Sequence, residues 1–261
     1  MARRAQIGFH KVAPERSRLP IPLLMAAAIA NEMVCMNLPS YMPIAVMLQF
    51  ILYLRPCDVL SLWREELVPP LPLSMGGLGR WSVLLHRQEM GEPSKTGVFD
   101  EAMVLDNTEY DDLDQVWAAL RSRSGTKLFP MSYDEYANGF TRAIEALQYG
   151  PLGVAHLYQL RHGGVSHEVA GGRRPIADAQ KRGRWLSAAS MRRYEKGGRV
   201  AEMLHRLSPA QLEHARVCRE QIGLILSGCS PPVRGGRDAA SLSSSSRAAA
   251  TSRKRGASRP S

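Results

Sequence analysis

The chain has 261 residues, 44% of them apolar, and a formal charge of +10, which permits one large domain or two small ones around a sizeable core. The charge is unevenly placed: residues 1–18 carry Arg3, Arg4, Lys11, Arg16 and Arg18 against Glu15, residues 231–261 carry seven Arg or Lys against Asp238, and the body between is about neutral. Whole-chain basicity is therefore weak evidence for a binding face. Cys35, Cys57, Cys218 and Cys229 form no CxxC pair and no metal-ligand spacing, so they read as buried or free thiols of a reducing, intracellular compartment, with no metal and no cofactor implied.

In chain order, residues 1–18 read as a mobile basic arm. Pro20 and Pro22 open a helix that runs to about Asn37, and Pro43 starts a second, apolar on nearly every side, that runs to Leu54. Neither apolar run reaches the roughly 20 residues of a membrane span, so both read as buried helices. LRPCDVLSL follows, with Arg55 between this helix and one begun by Pro56, and Asp58 placed to reach back and orient the guanidinium.

Residues 80–86 and 99–106 have the β-branched and apolar content of strands, joined by GEPSKTG with Lys95 on the hairpin. Thr108–Arg121 and Tyr133–Leu147 carry helical periodicity. A helix over 156–170 follows despite Gly163-Gly164, at about 1 kcal/mol each relative to Ala. Gly171-Gly172 ends it. Pro175 begins the next helix and Gly183 ends it. Ser187 caps a short helix that Gly197-Gly198 stops after Tyr194. Ser208-Pro209-Ala210-Gln211 is a capping-box start for a last helix to Ser227. The fold class is mainly α with a small antiparallel sheet, as one domain over 19–230. Residues 231–261 read as a disordered basic tail.

Charge inside the body is segregated. Asp100–Asp114 holds seven acids and no base; Arg173–Arg199 holds nine bases and two acids. A like-signed block can make a local field for phosphate; without a motif it reads as a solvated face, and with the resemblance below Arg173, Arg174, Lys181, Arg182, Arg184, Arg192 and Arg193 are the expected DNA-backbone contacts.

These residues together resemble the catalytic domain of the tyrosine recombinases, the phage-integrase and Cre-like enzymes, over about residues 20–228. LRPCDVLSL resembles the first arginine box, with Arg55 as a catalytic arginine and Asp58 bracing it. SKTG resembles the hairpin lysine, here Lys95. LRHGGVSH resembles the second box, with Arg161. GRW resembles the His/Trp position, here Trp185. Tyr194, nine residues on, matches the nucleophile. Tyr158 and His162 flank Arg161 as supporting residues.

The resemblance implies DNA cleavage and rejoining through a 3′-phosphotyrosine. A free phenol has a pKa of about 10 and needs activation. Two guanidiniums forking onto the non-bridging oxygens stabilise the transition state without a metal. A lysine protonates the leaving 5′ oxygen. Double-stranded DNA and a tetramer of protomers on it are the implied partners, with a C-terminal helix, here Ser208–Ser227, docking on a neighbour.

Two departures qualify the resemblance. Tyr158 stands where the family has His, and only the arm precedes the first catalytic helix, so the chain reads as a fragment, a mobile-element remnant or a minimal enzyme. The alternatives are a catalytically inactive DNA-binding descendant and, further off, a type IB topoisomerase. Arg253-Lys254-Arg255 is compatible with a nuclear address or with a phosphate-binding patch.

Overall fold

The computed structural model describes residues 19–91, 99–187 and 196–235. They are mainly helical with one small antiparallel sheet, the class that the periodicity predicts. At the centre lies α1 (Leu23–Cys35), buried at every residue from Met25 to Met33. Its alanines keep it thin, and α2 (Tyr41–Ile51), α5 (Tyr133–Ala146) and α9 (Pro209–Leu226) pack around it. Gln49, buried on α2, donates to Leu157 O at 2.9 Å and accepts from the Tyr136 hydroxyl at 2.9 Å, so its amide is not left unpaired in the core. Among the described residues no helix is long and apolar enough to cross a membrane.

The sheet has the order β1 (Leu67–Val68), β2 (Ser82–Leu85), β3 (Glu101–Val104), with Leu67 opposite Val83 and Leu85 opposite Glu101. β2 and β3 are the expected strands. β1 is two residues long, too short to leave a period in the sequence. Beyond the sheet, a 3-10 stretch (Thr108–Leu113) leads into α4 (Asp114–Arg121), so the single helix expected there begins as a tighter turn. α6 (Tyr158–Ala170) and α7 (Ile176–Arg182) follow the predicted boundaries.

Three features of the last third of the described chain go beyond the expectations. Gly197 and Gly198, read as the stop of a helix that lies outside the described residues, begin α8 (Gly197–His205). Gly197 lies against α6, where an added Cβ would stand 2.6 Å from the Ala170 Cβ, so close packing accounts for this glycine. α9 starts at the expected box, with Ser208 and Gln211 exchanging bonds at 3.1 and 3.2 Å, and in the single chain it packs along α1. Its buried residues are Ala215, Cys218, Ile222, Gly223 and Ile225, while Leu212 is 39% exposed. That stripe, spaced by three and four, lies along α1. Finally, the tail does not begin at 231 as a free strand: Val233 and the Asn31 amide exchange two bonds of 2.8 Å.

Candidate functional site

Arg55 is the residue before α3 (Pro56–Ser61), in extended conformation, with Pro56 at the first helical position. The Asp58 carboxylate reaches back to the Arg55 backbone N–H at 2.8 Å, satisfying an orphan donor of the helix start. Its other oxygen faces the Arg55 guanidinium at 3.9 Å. Asp58 thus holds the Arg55 backbone directly and its guanidinium only at longer range. Among the described residues, Asp58 is the one ion-pair partner of Arg55.

Arg161 is set by α6. Gln159 uses its side chain fully: it donates to Leu19 O and Gly153 O at 3.0 and 2.8 Å and accepts from Ala155 N and His156 N at 2.7 and 2.8 Å. These four bonds fix the entry of the helix. Gly163 and Gly164 then let it sink between its neighbours: a Cβ on either would stand 2.0 Å from the backbone oxygen of Ile21 or Phe50. The helical cost of two glycines is offset by this close approach. The result is an arginine 1% exposed, its guanidinium donating to Tyr53 O and Gly183 O and lying 4.5 Å from the centre of the Trp185 ring.

The turn after α7 supplies the other side. Trp185 folds back over Gly183, where a Cβ would fall 1.7 Å from a ring carbon, so glycine is required at 183. The left-handed conformation that often falls to glycine after a helix is here taken by Arg184 (φ +56°). This uncommon backbone carries the Arg184 side chain to Asp58 and, at 3.4 Å, to Glu101. His86, at the end of β2 and also left-handed (φ +56°), places Nε2 3.9 Å from Asp58 Oδ1.

Arg55, Arg184 and His86 thus stand around one carboxylate, and Arg161 is close enough to feel the charges of Arg184, Arg55 and Asp58. Burial lowers the pKa of Arg161 to about 10, and the nearby charges of Arg184 and Arg55 add to the effect, with Tyr158 and Asp58 opposing it. Arg161 remains charged at neutral pH, in a place where further negative charge is welcome. Tyr158 lies beside His162, their rings 6.3 Å apart, and His162 is buried.

The structure thus brings Arg55, Asp58, Arg161, Trp185 and Tyr158 into one neighbourhood. Lys95, Tyr194, Arg192 and Arg193 lie outside the described residues. The basic segment takes a different form from the open face expected. Arg173 pairs with Glu109 at 2.9 Å, Arg174 with Asp106 at 2.6 Å and Glu168 at 2.5 Å, and Arg182 with Asp106 at 3.1 Å. Asp106 and Glu109 of the acidic block thus pair with Arg173, Arg174 and Arg182 of the basic block. Burial opposes ionisation of Asp106, yet Arg174 and Arg182 hold its carboxyl below the ordinary range. Lys181 is exposed.

Sequence reasoning missed His86 and the bracing role of Arg184. A single histidine at a strand end carries no local signal, and its partner lies on α3. The positive φ of Arg184 follows from the Trp185–Gly183 overlap, which a Gly-Arg-Trp string does not announce. No known protein family, curated protein or solved structure matches this chain.

Proposed function

We propose that the chain cleaves and rejoins DNA strands in the manner of the tyrosine recombinases, through a 3′-phosphotyrosine. The observation that supports this most is that Arg55 and Arg161, from distant boxes, lie within electrostatic reach of each other and of Asp58, with Trp185 against the Arg161 guanidinium. Two guanidiniums near one another in a largely buried site suit the non-bridging oxygens of a phosphodiester, whose charge grows in the transition state. In this reading the Tyr194 oxygen bonds to phosphorus and the bond to the 5′ oxygen breaks. Lys95 gives that oxygen its proton, and a 5′ hydroxyl from another strand later reverses the step. Exposed Lys181 contacts the DNA backbone, and active protomers assemble as a tetramer on paired sites. A nicked suicide duplex tests the reading: the wild type becomes covalently attached and Tyr194→Phe does not, while both bind DNA alike. An adduct that persists in the Phe variant, or none in the wild type, removes the enzymatic reading.

A second reading, a DNA-binding descendant without cleavage, is favoured by a specific observation. Arg161 directs both terminal nitrogens to backbone carbonyls, and Tyr158 is a poor base at neutral pH. Binding of duplex DNA without attachment is its signature.

A further inference from the structure

His86 is the member of the cluster that the proposed chemistry leaves without a task. Its Nε2 is buried and has no hydrogen-bond partner among the described residues, an arrangement that costs free energy unless the site uses it. The ring is aimed by a left-handed backbone at the end of β2, held by the Asp100 N–H donating to His86 O at 2.9 Å. It faces Asp58 Oδ1 at 3.9 Å, the same oxygen that Arg55 faces at 3.9 Å. The other oxygen, Oδ2, is already taken by the Arg55 backbone N–H and by Arg184. Oδ1 therefore has the Arg55 guanidinium and the His86 ring nitrogen at 3.9 Å, both beyond hydrogen-bond distance, and a weak thiol donor, Cys57 Sγ, also at 3.9 Å.

Building on the phosphodiester reading of this cleft, we propose that His86 is a positioning residue that takes up a proton when a phosphodiester anion is captured by Arg55. As Arg55 turns its guanidinium to the anion it releases Oδ1. A proton from solvent then binds His86 Nε2, and the imidazolium closes the remaining ångström or so to donate to Oδ1. Asp58 stays compensated and continues to brace Arg184. One negative charge enters the cleft with the ligand and one positive charge enters with the proton.

The groups around His86 are consistent with this exchange. Asp58 on α3 faces it directly, Glu66 feels its charge from the 3-10 turn before β1, and Glu101 on β3 pairs with its neighbour Leu85. Against these stand Arg55 and Arg184. With both arginines in place the carboxylate needs no third cation. With Arg55 drawn away it does.

The sign follows. If the bound state holds one more proton than the free state, affinity falls as pH rises. One added unit charge at about 7 Å changes affinity by roughly threefold with water-like screening and roughly fiftyfold at an effective dielectric of 20.

Dimethyl phosphate is a suitable probe, because it stays a monoanion across the imidazole range and reads no DNA sequence. Its binding to the full chain, followed by NMR of the histidine rings at pH 6 and pH 8, is expected to be several-fold tighter at pH 6. The ring signal absent from His86→Gln is expected to move toward the charged form on addition, and that variant to bind equally at both pH values. Arg55→Gln is expected to abolish binding. Should His86→Gln fail to fold, the ring titration of the wild type decides. Equal binding at both pH values with unmoved ring signals overturns the role of His86 and leaves the phosphodiester cleft standing. Absence of binding at either pH overturns both.

Discussion

Arg184 closes on the carboxylate of Asp58, a residue 126 positions earlier in the chain, and both side chains are almost wholly buried, 5% and 4% exposed. This pair joins the start of α3 to the turn after α7, and so ties the segment that carries Arg55 to the turn that carries Trp185. A buried pair of this kind need not stabilise relative to an apolar substitute, but removing one member leaves the other charge uncompensated.

Asp58→Asn is accordingly expected to destabilise the fold by about 3–5 kcal/mol, read as a lower urea midpoint. Asp58→Asn combined with Arg184→Met should be less damaging than the two single losses added. Strict additivity would mean that the two side chains do not depend on each other.

The glycines supply a contrast that needs no ligand. Gly164→Ala forces a methyl group against Phe50 O, whereas Gly198, on α8, has open space around its missing Cβ. The first is expected to cost about 2 kcal/mol, a melting drop of roughly 4–8 °C. Gly198→Ala should be neutral or slightly stabilising. Equal effects in a thermal melt would contradict the packing described for α6.

Much of this was legible beforehand, and the reason is local. Proline and glycine punctuation and an apolar period mark α1, α2, α5 and α6, and the Ser208 and Gln211 side chains declare the start of α9. Arg55 and Asp58 could be paired because three residues separate them at a helix start. What could not be read depends on partners remote in sequence. Cys218 and Ile225 join the α9 stripe only because α1 lies alongside. The arginines of 173–184 look free for phosphate until Asp106, Glu109 and Glu168 are seen beside them. β1 is defined by β2, not by its own two residues.

Removal of α9 should therefore do more than impair assembly. A chain ending at Leu207 loses the cover of α1 and the bonds that join Gln211 to Leu147 O and Arg219 to Glu109 O. It is expected to lose cooperative thermal unfolding and to bind a hydrophobic dye. A truncated chain that melts as sharply as the full one would return α9 to the role of an exchangeable arm.

Stability should also depend on pH on the acid side. Burial lowers the pKa of His167, against the opposing effect of Glu109 at 2.8 Å, and burial lowers that of His214. The unfolded chain thus binds protons more readily as pH drops below about 6.5. Their contribution is present above that pH and lost as pH falls through the lowered folded values. Chemical denaturation at pH 7.5 and 5.5 should show the loss, and His167→Gln with His214→Gln should reduce it. Equal midpoints at the two pH values in the wild type would be inconsistent with neutral buried imidazoles.

The ion pairs linking Asp106 and Glu168 to Arg174 and Arg182 also constrain how such a chain can change through descent. Tyr53 and Asn107 donate to Glu168 as well, so the set spans the end of α2, the strand exit and two later helices. A replacement at one position strands a charge at another, and the intermediate is selected against before a compensating change arrives. These positions are expected to change together. A hybrid that takes segment 100–114 from one divergent lineage and 173–184 from another inherits two halves of different locks.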